Sequence, residues 1–251
     1  MKRDHLTRDA FLGGRLHLWQ PQNGFRAGID SVLLAAAVTA LEGQSVLDLG
    51  CGVGAVSFCL ATRVRSLSLT GIERQSAYAE LARRNARDLN FSMDVIGADI
   101  ANLPQNLQRQ KFDHVIANPP YFDPRTRKAS KNTEREAALS GQTPLDVWIE
   151  IAMQQLVPKG HFFVIYPAAR LSELLNALKG RLGTLAVLPI AARSNQAARL
   201  VLVRARKDTD RGLRLLSPLI LHTGTRHMKD AESYRPEVNC ILREGSELTW
   251  H

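Results

Sequence analysis

Disulfide and structural-metal chemistry have little to work with in this sequence. Its three cysteines, Cys51, Cys59 and Cys240, are odd in number and lie at no spacing used by metal ligands. Neither a disulfide scaffold nor a zinc site is expected, and a reducing compartment fits. No apolar run approaches the roughly 18 residues of a membrane span. Met1-Lys2-Arg3-Asp4-His5 leads into no apolar segment of leader length, so a cytoplasmic chain without membrane contact is expected. Internal repeats and low-complexity tracts are missing as well. Acidic residues are the last scarcity: 24 stand against 33 lysines and arginines, a net charge of +9. That balance asks for a polyanionic partner. Much of the excess falls between Lys159 and Arg214, where Lys159, Arg170, Lys179, Arg181, Arg193, Arg199, Arg204, Arg206, Lys207, Arg211 and Arg214 face only Glu173, Asp208 and Asp210.

What is present reads as an ordinary globular chain. At 251 residues, 45% apolar and 23% charged, it is long enough for one large α/β domain or a domain with a small appendage. Phe11 to Pro21 alternates around Gly13-Gly14 as a hairpin does. Asp30 then caps an expected helix from Ser31 to Leu41 that Gly43 ends. From there strand and helix alternate. Strands are predicted over 46–49, 67–72, 93–97, 111–117, 161–166, 185–190 and 200–205. Helices are predicted over 55–64, 76–89, 103–109, 145–157 and 171–182. This order predicts a seven-stranded, mostly parallel sheet covered on both faces, with one antiparallel edge strand where the last two strands join without a helix. Residues 1–30 form a lead-in, 31–210 the main domain and 211–251 an extension packed on it. Asp123 to Thr143 has no apolar periodicity and reads as a long mobile loop.

Two stretches carry chemistry. In the first, the apolar run Val46-Leu47-Asp48-Leu49 enters Gly50-Cys51-Gly52-Val53-Gly54-Ala55, which satisfies the dinucleotide pattern G-x-G-x-x-G/A and leaves a nicotinamide enzyme open. Asp48 tips the choice away from it. A carboxylate two residues before the first glycine repels a pyrophosphate and suits a cationic amino-acid end. Glu73, closing the next strand, can take two ribose hydroxyls, and Asp99, closing the third, can meet an adenine. In the second stretch, Asp113 to Ala117 ends at Asn118-Pro119-Pro120-Tyr121-Phe122. Proline holds the preceding residue extended, so the Asn118 amide and the Pro119 carbonyl become two fixed acceptors suited to an amino group on a planar ring. Tyr121 supplies a stacking face, with Phe122 in reserve. Arg125, Arg127, Lys128, Lys131 and Arg135 follow as candidate phosphate contacts. His5, His17, His161, His222 and His227 form no relay.

These residues resemble a known family. Val46 to Gly54 is similar to the first motif of the class I S-adenosylmethionine-dependent methyltransferases, and Asn118-Pro119-Pro120-Tyr121 to their amino-group methylation motif. The resemblance covers about Asp30 to Arg206 and implies a Rossmann-like fold. A narrower resemblance, through Gly28-Ile29-Asp30-Ser31-Val32-Leu33-Leu34-Ala35 and the compact basic chain, is to the bacterial tRNA1(Val) adenine-37 N6-methyltransferases. It implies S-adenosylmethionine as cofactor, held by Asp30, Asp48, Gly50, Gly52, Gly54, Glu73, Asp99 and Asn118. It also implies Asn118, Pro119 and Tyr121 as catalytic residues, and RNA, above all tRNA, as partner, with no metal. Three alternatives share parts of the pattern. These are a glutamine methyltransferase of the release-factor type, a ribosomal-RNA guanine methyltransferase, and an RNA-binding protein without turnover.

Overall fold

A computed structural model describes residues 5–120, 143–209, 212–224 and 233–250. Its centre is a nine-stranded sheet. The strands are β3 (Ser45–Leu49), β4 (Ser68–Glu73), β5 (Met93–Gly97), β6 (Phe112–Ala117), β7 (Leu156–Pro167), β8 (Gly183–Ala191), β9 (Leu200–Arg206), β10 (Leu213–Leu215) and β11 (Leu219–Ile220). Their order is β10-β8-β9-β7-β6-β3-β4-β5, with β11 also on β8. The seven expected strands are all there. The antiparallel strand, however, is not at the edge: β9 runs antiparallel between β7 and β8. The edge beyond β8 is built instead by β10 and β11, two short parallel strands from the tail.

Helices cover both faces. On one lie α1 (Ile29–Ala37), α2 (Ala55–Arg63) and α3 (Ser76–Leu89), with side chains from all three in one buried cluster. On the other lie α4 (Gln105–Arg109), α5 (Leu145–Gln155) and α6 (Leu171–Leu178), around Leu107, Trp148, Ile149 and Leu174. Strands buried on both faces read as continuous apolar runs, which is why Val46-Leu47 and Val115-Ile116-Ala117 are apolar throughout.

Helix α1 is shorter than the sequence predicts. It stops at Ala37, with Val38 already extended, and Gly43 sits instead in a later turn closed by the Gln44 N–H on the Leu41 carbonyl. The cap differs too: Gly28 occupies the N-cap, and Asp30 lies in the first turn, where its charge favours the helix dipole. The last carbonyls of α1 are buried and need donors. Arg63 supplies Ala35 and Val38, the Leu248 N–H supplies Ala36, and the Trp250 Nε1–H supplies Ala37 at 2.9 Å. The chain's end is thereby tied to its first long helix. A last short helix, α7 (Pro236–Asn239), leads into it.

The lead-in is a hairpin, β1 (Leu6–Phe11) with β2 (Leu16–Pro21), paired antiparallel. It docks on α3. Asn85, fully buried, accepts from the Trp19 N–H at 2.8 Å and donates to the carbonyls of Trp19 and Val53. One amide thus fixes the hairpin to the loop after β3.

Candidate active site

The order of strands reverses at β3, from which β4 lies on one side and β6 on the other. In open α/β sheets the crevice at the carboxyl ends of such strands binds ligands. Register defines what meets there. Leu49 pairs with Ala117 of β6 and with Ile72 of β4, so Gly50, Asn118 and Glu73 leave the sheet side by side. Glu73 in turn pairs with Gly97, which places Asp99 just beyond on the next strand.

The glycine turn is shaped by positive φ angles. Gly50 stands at +64° and Gly52 at +56°, a region costly for other L-residues. Their surroundings differ. A Cβ on Gly50 would lie 2.6 Å from the Trp148 ring, so that side of the turn is packed against α5. A Cβ on Gly52 would meet nothing within 4 Å, so that side is open to a ligand. Gly54, also left-handed, is the N-cap of α2 with the Phe58 ring against it.

Glu73 is buried, and its two oxygens each hold a backbone N–H, from Gly52 at 3.0 Å and from Gln75 at 2.8 Å. Burial raises its pKa against those bonds. Each oxygen retains a lone pair for a hydroxyl. Asp48 is deeper, and burial pushes its carboxyl up to about 7, opposed by the Ser57 hydroxyl that donates to it at 2.7 Å and reinforced by the nearby Glu73. Such a carboxyl gains most from a cation placed beside it. Asp99 caps the short turn Ile100–Asn102 by accepting from the Ala101 N–H, and pairs with Arg74 at 3.5 Å. Asn118 is half-buried, Pro119 buried and Pro120 exposed. The open Gly52 side, the spare acceptors of Glu73 and the buried carboxyl of Asp48 fit S-adenosylmethionine, whose amino-acid end carries an ammonium and whose ribose offers two donors.

Of the expected site residues, Asp48, Gly50, Gly52, Gly54, Glu73, Asp99, Asn118 and Pro119 come together along one sheet edge. Asp30 lies in the first turn of α1. Tyr121, Phe122, Arg125, Arg127, Lys128, Lys131 and Arg135 lie outside the described residues. Three supports were not anticipated: Ser57 for Asp48, Trp148 behind Gly50, and Asn85 behind Val53. Ser57 follows the motif by only three residues and faces β3 from the first turn of α2, a signal that helix periodicity could have given. Among the described residues no His, Cys, Asp and Glu group could hold a metal, and no helix is long and apolar enough to cross a membrane.

A sheet that reverses at β3, with its glycine turn opposed by acids on the next strands, is the architecture of the class I S-adenosylmethionine-dependent methyltransferases. Residues 41–205 match the family model described as "Methyltransferase domain". Among curated relatives, the tRNA1(Val) (adenine(37)-N6)-methyltransferase of Actinobacillus succinogenes is 32% identical over 64% of this chain and 68% of its own length. That of Porphyromonas gingivalis is 32% identical over 67% and 69%. A solved structure of a predicted O-methyltransferase, Atu636 from Agrobacterium tumefaciens, superposes with a TM-score of 0.71 at 27% identity, covering 88% of this chain and 98% of that one. The tRNA (m1A58) methyltransferase of Aquifex aeolicus shares the fold alone, at 16% identity and a TM-score of 0.53 over 76% of this chain and 72% of that one. The chain therefore belongs to the methyltransferase-domain family and, within it, to the family of the tRNA1(Val) (adenine(37)-N6)-methyltransferases.

Proposed function

We propose that this chain methylates the exocyclic N6 of an adenine in RNA, the anticodon-loop adenine at position 37 of tRNA1(Val) being the target its relatives' names point to, and that it works in the cytoplasm. The observation that carries the reading is the register that sets Asn118-Pro119 beside the open glycine turn. S-adenosylmethionine, when bound, supplies an electrophilic sulfonium methyl. The chain's own residues then hold the cofactor, grip the target amine and support the base. Asp48 and Asp30 favour the cationic amino-acid end, Glu73 accepts from the ribose hydroxyls, and Asp99 faces the adenine end. The Asn118 side-chain oxygen and the Pro119 carbonyl accept the two hydrogens of the target amine. An amine conjugated to a ring is a poor nucleophile, and this grip turns its lone pair toward the methyl. Positioning for in-line displacement is the largest contribution, and stabilisation of positive charge growing on nitrogen is the second. Neither acceptor is a strong base, so the proton leaves to water after transfer. Tyr121, with Phe122, supports the turned-out base by stacking, and the cations from Arg125 to Arg135 hold its phosphates.

The deciding experiment incubates the protein and labelled cofactor with total RNA and total protein and identifies the product by mass spectrometry. N6-methyladenosine in tRNA is expected. Label confined to protein would overturn the reading in favour of a glutamine methyltransferase.

A further inference from the structure

The basic segment from Lys159 to Arg214 has no part in the site described so far, and its charges divide sharply once folded. Arg170 pairs with Glu173, Arg181 with Asp146 and Glu150, and buried Arg193 holds the carbonyls of Thr223 and Gly224. Arg204, Arg206 and Arg214 differ: among the described residues no acid pairs with them. Register brings them together. Arg204 of β9 and Arg214 of β10 both pair with Ala186 of β8, so they flank a small side chain on one row. Arg206, two residues along β9, points to the same face, as the alternation with buried Ala205 requires. Strand spacing sets the scale. Two interstrand spacings of ~4.8 Å separate Arg204 from Arg214, about 10 Å, and two residues along a strand separate Arg204 from Arg206, about 7 Å.

The cluster is held in place despite its repulsion. Burial lowers the Arg204 pKa, and Arg214 and Arg206 lower it further. Its guanidinium lies 4.9 Å from the centroid of the Trp250 ring, which is itself anchored to α1. The Arg206 Nε donates to the Lys159 carbonyl at 2.9 Å, which aims that side chain and adds a lysine at the border. Lys207, next in sequence, donates to the Leu156 carbonyl. Asp208 is exposed, pairs with none of them, and is the one acid between Arg204 and Arg214 among the described residues.

The sheet also ties the cluster to the methyl-transfer edge. Arg206 pairs with His161, which pairs with His114, four residues below Asn118 on β6. That is about 13 Å along the strand and, two strands over, about 10 Å across. A rigid double-stranded stem covers such a span while its loop enters the crevice.

We propose that Arg204, Arg206 and Arg214 form a docking surface for the phosphate backbone of an RNA stem, set to one side of the site that methylates a base in the adjoining loop. This rests on the proposed RNA substrate and adds where that substrate is held. Contacts of this kind set register and orientation without reading sequence. They also make binding depend steeply on salt, with a slope that falls by about 0.7–0.9 for each phosphate contact removed.

The test measures tRNA affinity against salt concentration, together with methyl transfer, for the full chain and for R204Q/R206Q/R214Q. The expected result is a tenfold or greater rise in Kd at moderate salt and a salt slope lower by about 2–3, with KM for tRNA rising far more than kcat falls. A second triple variant, R65Q/R87Q/R109Q, removes equal charge from exposed positions on none of β8, β9 or β10. Equal losses in the two variants would overturn the surface, because net charge alone would then explain them. Since Arg204 packs on Trp250, R214Q on the exposed β10 is measured as well, and an unchanged slope there together with an unchanged slope in R206Q also overturns it. A wild-type chain that neither binds nor methylates RNA refutes the functional reading itself. A wild-type chain that methylates RNA while the triple variant keeps affinity and slope refutes only the surface, and makes an acidic protein the partner of these arginines.

Discussion

The two ends of one sheet solve opposite electrostatic problems. At the carboxyl end of β3 and β4 the fold buries acids: Asp48 and Glu73 are both held up in pKa by burial. Toward the amino end of β6 and β7 it buries bases. His114 and His161 stack at 5.8 Å, burial lowers each to a pKa of about 4, and the His114 Nδ1 has no hydrogen-bond partner among the described residues. At the first end the proposed role of the site is to relieve that cost with a cationic ligand. At the second it is kept low by leaving the imidazoles neutral. The difference teaches that burial of a charge marks a binding site only where a space opens beside it, as at Gly52. Around His114 the neighbours are Gln44, which bonds its Nε2, and the rings of His161 and Phe163.

The largest test of the carboxyl end is Asn118→Ala. It removes one of two acceptors from the amine while leaving the glycine turn and both acids in place. A fall of about 10²–10³ in kcat is expected, in the range seen when one preorganised hydrogen-bonding group is lost from a transition state. Cofactor affinity by calorimetry should fall far less than turnover does. A variant with full turnover would remove the distinction between the crevice and any other strand end.

The second test compares two glycines of one turn. Gly52→Ala puts a methyl into open space, so the chain should fold with a strain of about 1–2 kcal/mol at this positive φ and lose cofactor affinity tenfold or more. Gly50→Ala pays the same strain and also drives a methyl into the Trp148 ring, so its melting temperature should fall further. Paired melting curves and cofactor titrations separate them. If both lose stability equally and neither loses affinity, the open side of the turn is not where the cofactor lies.

Much of this end was legible in the sequence because its signals are local. A strand that runs into glycines and then a helix can be read from ten residues, and so can a strand that stops at Asn-Pro-Pro. What could not be read depends on register. Leu213-Arg214-Leu215 is exposed along its whole length and carries no buried alternation, and it is a strand only because β8 offers an unpaired edge. For the same reason β9 was expected at the edge it does not occupy. The His114–His161 pair was invisible too: the two residues are 47 positions apart and meet only because β6 and β7 are parallel neighbours. Asp30 looked like a cap because it precedes the apolar run, but the helix begins one residue earlier, at Ile29.

The smallest effect bears on the comparison most directly, because the two ends respond to pH with opposite sign. Asp48 has a folded pKa near 7 against an ordinary value near 4, so the folded state holds the extra proton between those values and stability falls as pH rises through that window. His114 and His161 have folded values near 4 against about 6.5, so the unfolded state holds the extra protons and stability falls as pH drops from 6.5 toward 4. Between pH 6.5 and 4 the carboxyl therefore masks part of the imidazole penalty. Asp48→Asn removes the masking and should make unfolding in urea more acid-sensitive than in the wild type, by up to about 1.4 kcal/mol per pH unit. His114→Phe should change the slope the other way. Midpoints measured at pH 7, 6 and 5 check both, and parallel pH dependences in the wild type and Asp48→Asn would mean that Asp48 is not held protonated by its burial. The same protonation predicts that cofactor affinity falls as pH drops below 7 in the wild type and is flat in Asp48→Asn, since only the ionised carboxylate attracts the ammonium.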